Sequence, residues 1–311
     1  MPKARETTMR VVFFIAALTS ILAVVLICVF LFSQGLPAIF SIGFKDFLLG
    51  TKWAPTRSEP AFGILPMILG SVYVTAGAIL LGVPVGIFMA VFMARMCPKP
   101  LYRFIKPATN LMAGVPSVIY GFFGMMVIVP MIFELFGKKF DIMSGDTMLA
   151  ASIILGIMIL PTVISIAETN LRAVPQELYE GAVALGASHE RAIFKVVLPA
   201  ARSGVMAAVV LGVGRAIGET MAVNMVAGNQ PVMRLPNEFL KGLRTMTTNI
   251  VIEMGYVEQG SLHNRALIAT GVVLFVFILI INTIFSILNQ DKKNRAGKEG
   301  SKTEARRCRK S

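Results

Sequence analysis

Long apolar runs alternate with short polar segments along this chain. Each run is close to or longer than the roughly 20 residues that a helix needs to cross a bilayer. The pattern therefore predicts an all-α polytopic membrane protein with about six transmembrane helices. They cover about Val11–Phe32, Leu65–Ala94, Val115–Phe136, Met148–Ala167, Ala200–Ala227 and Leu267–Leu288.

Basic residues cluster on one side of this six-span arrangement. They precede span one, occupy the links between spans two and three and between spans four and five, and follow span six. By the positive-inside rule, we expect that side and both termini to lie in the cytoplasm. We expect the first span to stay uncleaved, because its apolar part exceeds the roughly 7–15 residues of a signal-peptide core.

Composition agrees with a membrane protein and narrows its partners. The mean hydropathy is +0.73, and 15% of residues are charged. The net charge of +13 raises the possibility of nucleic acid binding. The basic residues sort by membrane side instead, so we expect no nucleic acid partner and a contact with anionic membrane lipid. The three cysteines and two histidines are isolated, which predicts no metal site and no cofactor.

The spans divide the chain into three parts. Residues 1–64 would form an anchor helix and an extracytoplasmic (periplasmic) segment, with a short interfacial helix near Phe44–Leu49. Residues 65–290 would form the transmembrane domain, which contains a cytoplasmic loop at about 176–199. Residues 291–311 would form a basic cytoplasmic tail without periodicity, which we expect to be disordered.

Glycine pairs within the spans predict close helix packing. Gly82 and Gly86, like Gly214 and Gly218, have the small-xxx-small spacing that lets helix backbones approach. Pro84, Pro130 and Pro161 also lie inside predicted spans, where neighbouring helices or water can satisfy the freed backbone groups.

Enzyme signatures are missing from the sequence. No segment fits the phosphate-binding loop GxxxxGK[ST], so any ATP hydrolysis is expected in a partner subunit. No paired carboxylates, Ser/His/Asp set or HExxH motif is evident. We therefore predict a protein that is not an enzyme.

The loop at 176–195 is too polar to enter lipid but is rich in helix formers. Gly186 should break it into two helices, with Ser188 as the N-cap of the second. An apolar stripe is expected on one face. From the residues alone, a knob for a partner's groove and a simple loop are equally supported. The stripe comprises Leu178, Ala182, Leu185 and Ile193.

Two charged residues, Arg215 and Glu219, lie within predicted span five. A charge at mid-membrane is unfavourable by about 2.5–3.5 kcal/mol on insertion scales, so such residues usually line a pathway or pair internally. On a continuous helix, the two would be i,i+4 neighbours that share one face. They could form a self-neutralising ion pair or line a substrate path that Thr220 and Asn224 extend.

The loop and its flanks resemble a known family of permeases. Its spacing is similar to the EAA loop of ABC importer permeases, with Gly181 where the pattern has alanine. The flanking strings narrow the resemblance to permeases of bacterial high-affinity phosphate importers, of the PstC type. The matching residues are Glu180-Gly181-Ala182, Gly186 and Val196-Val197-Leu198-Pro199, with Leu160-Pro161-Thr162, Leu171–Pro175, Ala113–Gly121 and Gly214–Thr220 as flanks.

The resemblance implies a type I ABC importer permease fold and an assembly. The expected partners are a second permease subunit of the PstA type, two ATPase subunits and a periplasmic phosphate-binding protein. The EAA elbow would dock on an ATPase, and Arg215 with Glu219 would meet phosphate. The coupling residues implied are Glu180, Gly181, Ala182, Ala184, Leu185, Gly186, Ala187, Leu198 and Pro199.

Other functions remain open at this point. A permease of the same fold for molybdate, sulfate or phosphonate would use an arginine in the same way. A membrane-embedded enzyme is disfavoured by the missing catalytic residues. A sensor or scaffold is a third alternative, and a neighbouring gene that encodes a P-loop ATPase would favour the transporter over both the enzyme and the scaffold.

Overall fold

Helices account for most of the computed structural model, which describes residues 2–140, 142 and 144–308. Side chains are described for residues 6–137, 140, 142, 144–284 and 287. The helices are α1 (Pro2–Ile42), α2 (Phe44–Leu49), α3 (Leu65–Val91), α4 (Lys99–Gly114), α5 (Ser117–Phe123), α6 (Val129–Phe140), α7 (Met148–Arg172), α8 (Gln176–Ala184), α9 (His189–Ala192), α10 (Leu198–Ala200), α11 (Arg202–Gly218), α12 (Met221–Val226), α13 (Met246–Met254) and α14 (Leu262–Cys308). Strands β1 (Trp53–Ala54) and β2 (Ala61–Phe62) form a small antiparallel hairpin.

Five stretches of the described chain are long and apolar enough to span a membrane. They are Glu6–Ile42, Leu65–Met96, Ser117–Gly137, Met148–Arg172 and Leu262–Ile284. A sixth span results if His189–Ala200 and Arg202–Gly218, which meet at a 71° bend, are counted together. The all-α polytopic prediction is confirmed. The fifth span is not the single helix predicted for Ala200–Ala227, because the backbone leaves the helix at Glu219.

Helices α3 and α7 pack most closely, and glycine makes this possible. A Cβ on Gly82 would stand 2.6 Å from the carbonyl oxygen of Gly156, and one on Gly86 would stand 2.8 Å from Val163 Cγ1. The predicted close approach at this pair is therefore confirmed. Pro84 and Pro161 lie inside these two helices, as the sequence placed them.

Helix α1 packs on α14 at the edge of the bundle. A Cβ on Gly35 of α1 would stand 2.6 Å from Val272 Cγ2 of α14. No residue in the most apolar stretch of α1 is buried within the chain, as expected for a helix that faces lipid. The predicted short helix at Phe44–Leu49 is confirmed as α2, whose Phe47 is fully buried.

The end of α14 differs from the prediction. The tail from Asp291 was expected to be disordered, whereas the backbone of α14 continues as a helix to Cys308. The physical reason lies in the composition. Residues 291–308 contain no proline and several lysine, arginine, alanine and glutamate residues, which favour a helix.

Candidate functional site

The helix break at Glu219 and Thr220 is the first feature of the site. Helix α11 ends at Gly218, Glu219 has an extended backbone with ψ 130°, and α12 begins at Met221. The Ala222 N–H donates to Glu219 Oε1 over 3.2 Å, so the carboxylate caps α12. Arg215 and Glu219 are therefore not neighbours on one continuous helix face, and that prediction is wrong.

Arg215 has no acidic partner among the residues whose side chains are described. Its Nη1 donates to the Thr162 hydroxyl of α7 over 3.3 Å. The ion pairs among the described residues do not include Arg215, so the predicted alternative of a self-neutralising pair with Glu219 is wrong. Among the described contacts, this half-buried guanidinium with five donors forms one hydrogen bond, to a neutral hydroxyl.

The other predicted pathway residues lie on either side of the break. The Thr220 hydroxyl donates to the Gly218 carbonyl oxygen over 3.4 Å. The Asn224 carbonyl oxygen accepts from Asn229 Nδ2 over 2.6 Å, while Asn224 Oδ1 is buried without a partner. The structure therefore brings Arg215 together with Thr162 rather than with a continuous strip of Thr220 and Asn224.

One face of α11 is open. A Cβ on Gly214 or Gly218 would have nothing within 4 Å, and Leu211 on the same helix is exposed. The prediction that this glycine pair supports close packing is wrong within this chain. The reason is that no other described helix covers that face, so the glycines leave space beside Arg215.

The polar loop forms a helix–turn–helix elbow. Helix α8 ends at Ala184, Gly186 adopts φ +85°, and α9 begins at His189. The Arg191 N–H donates to the Ser188 hydroxyl, which confirms Ser188 as the N-cap. The Tyr179 hydroxyl lies 2.6 Å from His189 Nδ1, and this contact joins the two arms of the elbow.

The elbow presents an apolar surface that the chain itself leaves uncovered. Helix α8 has no buried residue, and Leu185 is 91% exposed. Leu178 and Val183 are exposed as well. The predicted stripe is divided, because Ile193 is buried in the bundle while Leu178 and Leu185 remain outside.

The remaining loop residues fall into two groups. Leu198 packs against the buried cluster of Val174, Ile193 and Val197, whereas Pro199 is exposed at the start of α10. Gly181 and Gly186 have open space around them. The Glu180 side chain is exposed in α8.

Arg95, at the end of the α3 span, holds the start of α8. Its Nη1 donates to Gln176 Oε1, and its Nη2 donates to the carbonyl oxygens of Leu171 and Val174, all over 2.9 Å. One guanidinium thus binds the Leu171 carbonyl at the end of α7, the Val174 carbonyl in the link and the first side chain of α8. From the sequence, Arg95 is one of several basic residues in the link between spans two and three.

A buried carboxylate, Glu168, lies at the same end of the bundle. Its side chain is 2% exposed and forms ion pairs with Lys106 at 2.7 Å and Arg172 at 2.8 Å. The Tyr102 hydroxyl donates to it over 2.7 Å. Sequence reasoning missed this cluster. Its signal was the i,i+4 spacing of Glu168 and Arg172 at the end of an apolar run.

A second charged cluster lies at the opposite end of the bundle, around Glu253 of α13. Arg244 Nη1 donates to Glu253 Oε1, and His263 Nε2 lies against Oε2, each at 2.7 Å. Trp53 Nε1 donates to the same carboxylate over 2.9–3.0 Å. The sequence did not predict these partners of Glu253.

Comparisons with known proteins show the family of this chain. The family model described as "Binding-protein-dependent transport system inner membrane component" matches residues 82–294. The probable ABC transporter permease protein YqgH of Bacillus subtilis is 40% identical over 287 residues, which cover 90% of this chain and 91% of the relative. The phosphate transport system permease protein PstC of Mesorhizobium japonicum is 36% identical, covering 83% and 82%.

Solved structures share the fold. A chain of the MetNI methionine ABC transporter, in a structure described as inward facing, matches with a TM-score of 0.57 and 18% identity. The match covers 73% of this chain and 96% of the MetNI chain. At this identity the likeness shows the fold alone, which is that of a type I ABC importer permease.

The apolar spans and the family match define a multi-pass membrane permease component, and such components are not themselves enzymes. The chain belongs to the family of binding-protein-dependent transport system inner membrane components. It is thus the permease component of an ABC importer, a class that works together with an ATPase and a binding protein.

Proposed function

We propose that this permease passes inorganic phosphate from an extracytoplasmic binding protein into the cytoplasm. The observation that carries the proposal is Arg215, a guanidinium within the membrane domain that has no acidic partner among the described side chains. Its open donors lie next to the uncovered face of α11 at Gly214 and Gly218. An arginine in this position is unfavourable for membrane insertion, which is a reason to connect it with a substrate.

The chemistry of Arg215 suits an oxyanion. Its planar fork can donate two parallel hydrogen bonds to phosphate oxygens. The Thr162 hydroxyl takes up one donor weakly, at 3.3 Å, and leaves the others for a ligand. An anion that enters the path would thus replace hydrogen bonds to water with hydrogen bonds to donors that the protein holds in place.

Glu219 supports phosphate over sulfate. Oε1 caps α12, and the second carboxylate oxygen has no partner among the described residues. That oxygen can accept a hydrogen bond from the protonated oxygen of hydrogen phosphate. Sulfate carries no proton at neutral pH and cannot donate such a bond. A carboxylate near the path would also weaken anion binding, and conduction requires release as well as binding. The name of the relative from Mesorhizobium japonicum points to the same substrate.

The proposed assembly follows from the surfaces that the chain leaves uncovered. The open face of α11 would meet a second permease subunit of the PstA type, so that the path lies between the two. The exposed Leu178, Val183 and Leu185 of the elbow would enter a groove on one of two ATPase subunits. A phosphate-binding protein would dock at the opposite end, near Arg234.

Transport would follow from movement of the elbow. By the positive-inside rule, the end with α4 and α8 lies in the cytoplasm, where ATPase subunits can reach it. Closure of the ATPase pair on ATP would shift the elbow and favour one of two global states of the bundle. The helix break at Glu219 would then face one side of the membrane or the other.

The test is phosphate uptake by phosphate-starved cells that carry Arg215→Gln or Glu219→Gln. Loss of one charged hydrogen bond is worth about 1.5–3 kcal/mol, so Arg215→Gln should lower uptake by about tenfold or more. Arg103→Gln is the matched control, since Arg103 is an exposed basic residue of α4. Wild-type uptake by both site variants would contradict the pathway role.

Substrate competition separates phosphate from the other oxyanions. Deletion of the chain should abolish high-affinity phosphate uptake and leave sulfate and molybdate uptake unchanged. Purification should recover an ATPase subunit, and phosphate with its binding protein should stimulate ATP hydrolysis in lipid. Loss of sulfate, molybdate or phosphonate uptake instead would identify a different substrate for the same fold.

A further inference from the structure

The elbow is tied to the bundle by Arg95. Helix α8 buries no side chain of its own, so its packing gives it little hold on the bundle. Arg95 Nη1 donates to Gln176 Oε1 of α8, and Nη2 donates to Leu171 and Val174 at the end of α7. A displacement of the start of α8 therefore pulls on the ends of both α3 and α7.

The Glu168 cluster, defined as Glu168, Tyr102, Lys106 and Arg172, continues this connection to α4. Tyr102 and Lys106 of α4 donate to opposite oxygens of the Glu168 carboxylate, each over 2.7 Å. Arg172 donates to Glu168 and also to the Met93 carbonyl oxygen over 2.7 Å. Within α4, whose side chains are all described, Thr109 is the only buried residue. The charged cluster is thus the principal attachment of α4 to α7.

Helix α4 leads to the helix break. The Tyr120 hydroxyl of α5 donates to the Met112 carbonyl oxygen of α4 over 2.9 Å. Helix α5 packs tightly on α12, since a Cβ on Gly121 would stand 2.9 Å from Ala222 Cα. The N–H of that same Ala222 donates to Glu219. Contacts between described residues therefore run without a gap from the elbow to the proposed substrate path.

We propose that the Glu168 cluster is the joint that makes α4 follow the elbow, and so couples ATPase movement to the helix break. The proposal rests on the transport function proposed above. A carboxylate that is 2% exposed and holds two cations separates from them only at a large penalty, so the joined segments move together. These residues position the path and touch no substrate.

Three variants test the joint with graded severity. Glu168→Gln keeps the shape of the side chain but leaves two cations facing a neutral amide. Lys106→Gln removes one ion pair, and Tyr102→Phe removes a single hydrogen bond. Arg103→Gln is the matched control, because Arg103 lies on the exposed side of the same helix.

The experiment uses the whole importer, with its ATPase and binding protein, in proteoliposomes. It measures phosphate transported per ATP hydrolysed, and the factor by which the phosphate-loaded binding protein stimulates ATPase activity. Mutations along a coupling network change coupling by about 0.5–2 kcal/mol, or about 2- to 30-fold. Glu168→Gln should lower both quantities within this range while basal ATPase activity persists. Tyr102→Phe should lower them less, and Arg103→Gln not at all.

Two results would overturn the proposal. One is a wild-type transport-to-hydrolysis ratio in all three variants, which means that α4 does not relay the movement. The other is an equal decline of basal ATPase activity and transport, which means that the cluster only supports the fold. If Glu168→Gln fails to assemble, Lys106→Gln and Tyr102→Phe decide. If the wild-type importer itself moves no phosphate, the proposed function is wrong, but the proposal about the joint is not yet tested by transport. In that case, the factor by which the binding protein stimulates ATPase activity in the variants still tests the joint.

Discussion

Replacing Glu253 by glutamine should destabilise the end of the bundle opposite the elbow. The Glu253 carboxylate of α13 joins four segments of the chain. It lies 2.7 Å from Arg244 and from His263, and 2.9 Å from Trp53. Its side chain is only 10% exposed, and that of Arg244 is 13% exposed. Glutamine would leave the guanidinium largely buried without a counter-charge.

The size of the effect follows from this burial. Removing one partner of a buried ion pair destabilises by about 3–5 kcal/mol. Glutamine retains a hydrogen-bond acceptor and the site is not fully dry, so we expect the lower part of that range, about 3 kcal/mol. At about 2–4 °C per kcal/mol, the melting temperature should fall by about 6–12 °C.

The chain contains its own probe for this assay. Trp53 is the single tryptophan, is 6% exposed, and donates to Glu253. The emission of Trp53 is obtained by subtracting the spectrum of a Trp53→Phe protein. In Glu253→Gln, this emission should shift to longer wavelength, and the thermal transition should occur at a lower temperature. The control is Glu258→Gln, which changes an exposed carboxylate nearby. Equal melting temperatures for the two variants would refute the reasoning.

Three further predictions follow from particular contacts. Gly82→Val should destabilise by about 1–3 kcal/mol through overpacking against the Gly156 carbonyl oxygen, measured as a lower melting temperature; an unchanged value would contradict the tight α3–α7 packing. Gly186→Ala should reduce the amount of co-purified ATPase, because φ +85° strains alanine, while Gly186→Asn should be tolerated. The hydrogen bond to Glu168 raises the pKa of Tyr102 above its usual value of about 10. The stabilisation from this phenol is thus present below pH 10 and is lost as the pH rises through the higher folded pKa. Absorbance at 295 nm should show that Tyr102 loses its proton at a higher pH than tyrosines with the usual pKa. Loss at the same pH would contradict the hydrogen bond between Tyr102 and Glu168.

Much of the architecture could be predicted from the sequence because lipid imposes simple requirements on a chain. Spans must be long and apolar and must satisfy their own backbone groups, so the runs around Leu65–Ala94 and Met148–Ala167 became α3 and α7. Gly186 and Ser188 marked the elbow through local backbone preferences alone. The candidate residue Arg215 was also visible, as a charge within an apolar run.

What the sequence missed depends on residues that are far apart along the chain. An unbroken apolar run predicted one helix through Glu219, but the carboxylate caps a new helix there. The Glu168 and Glu253 clusters were missed because their partners lie up to 66 and 200 residues away. Periodicity within a segment carries no information about such partners.

The sequence by itself determined the class of the protein, the approximate spans, the basic side of the membrane domain and the elbow, because these follow from hydrophobicity and local backbone conformation. Only the tertiary structure decided that Arg215 faces Thr162 rather than Glu219, and that one face of α11 remains open beside it. The physical reason is that a side chain's electrostatic partner is chosen by packing between helices. The role of a charge inside a membrane depends on that partner.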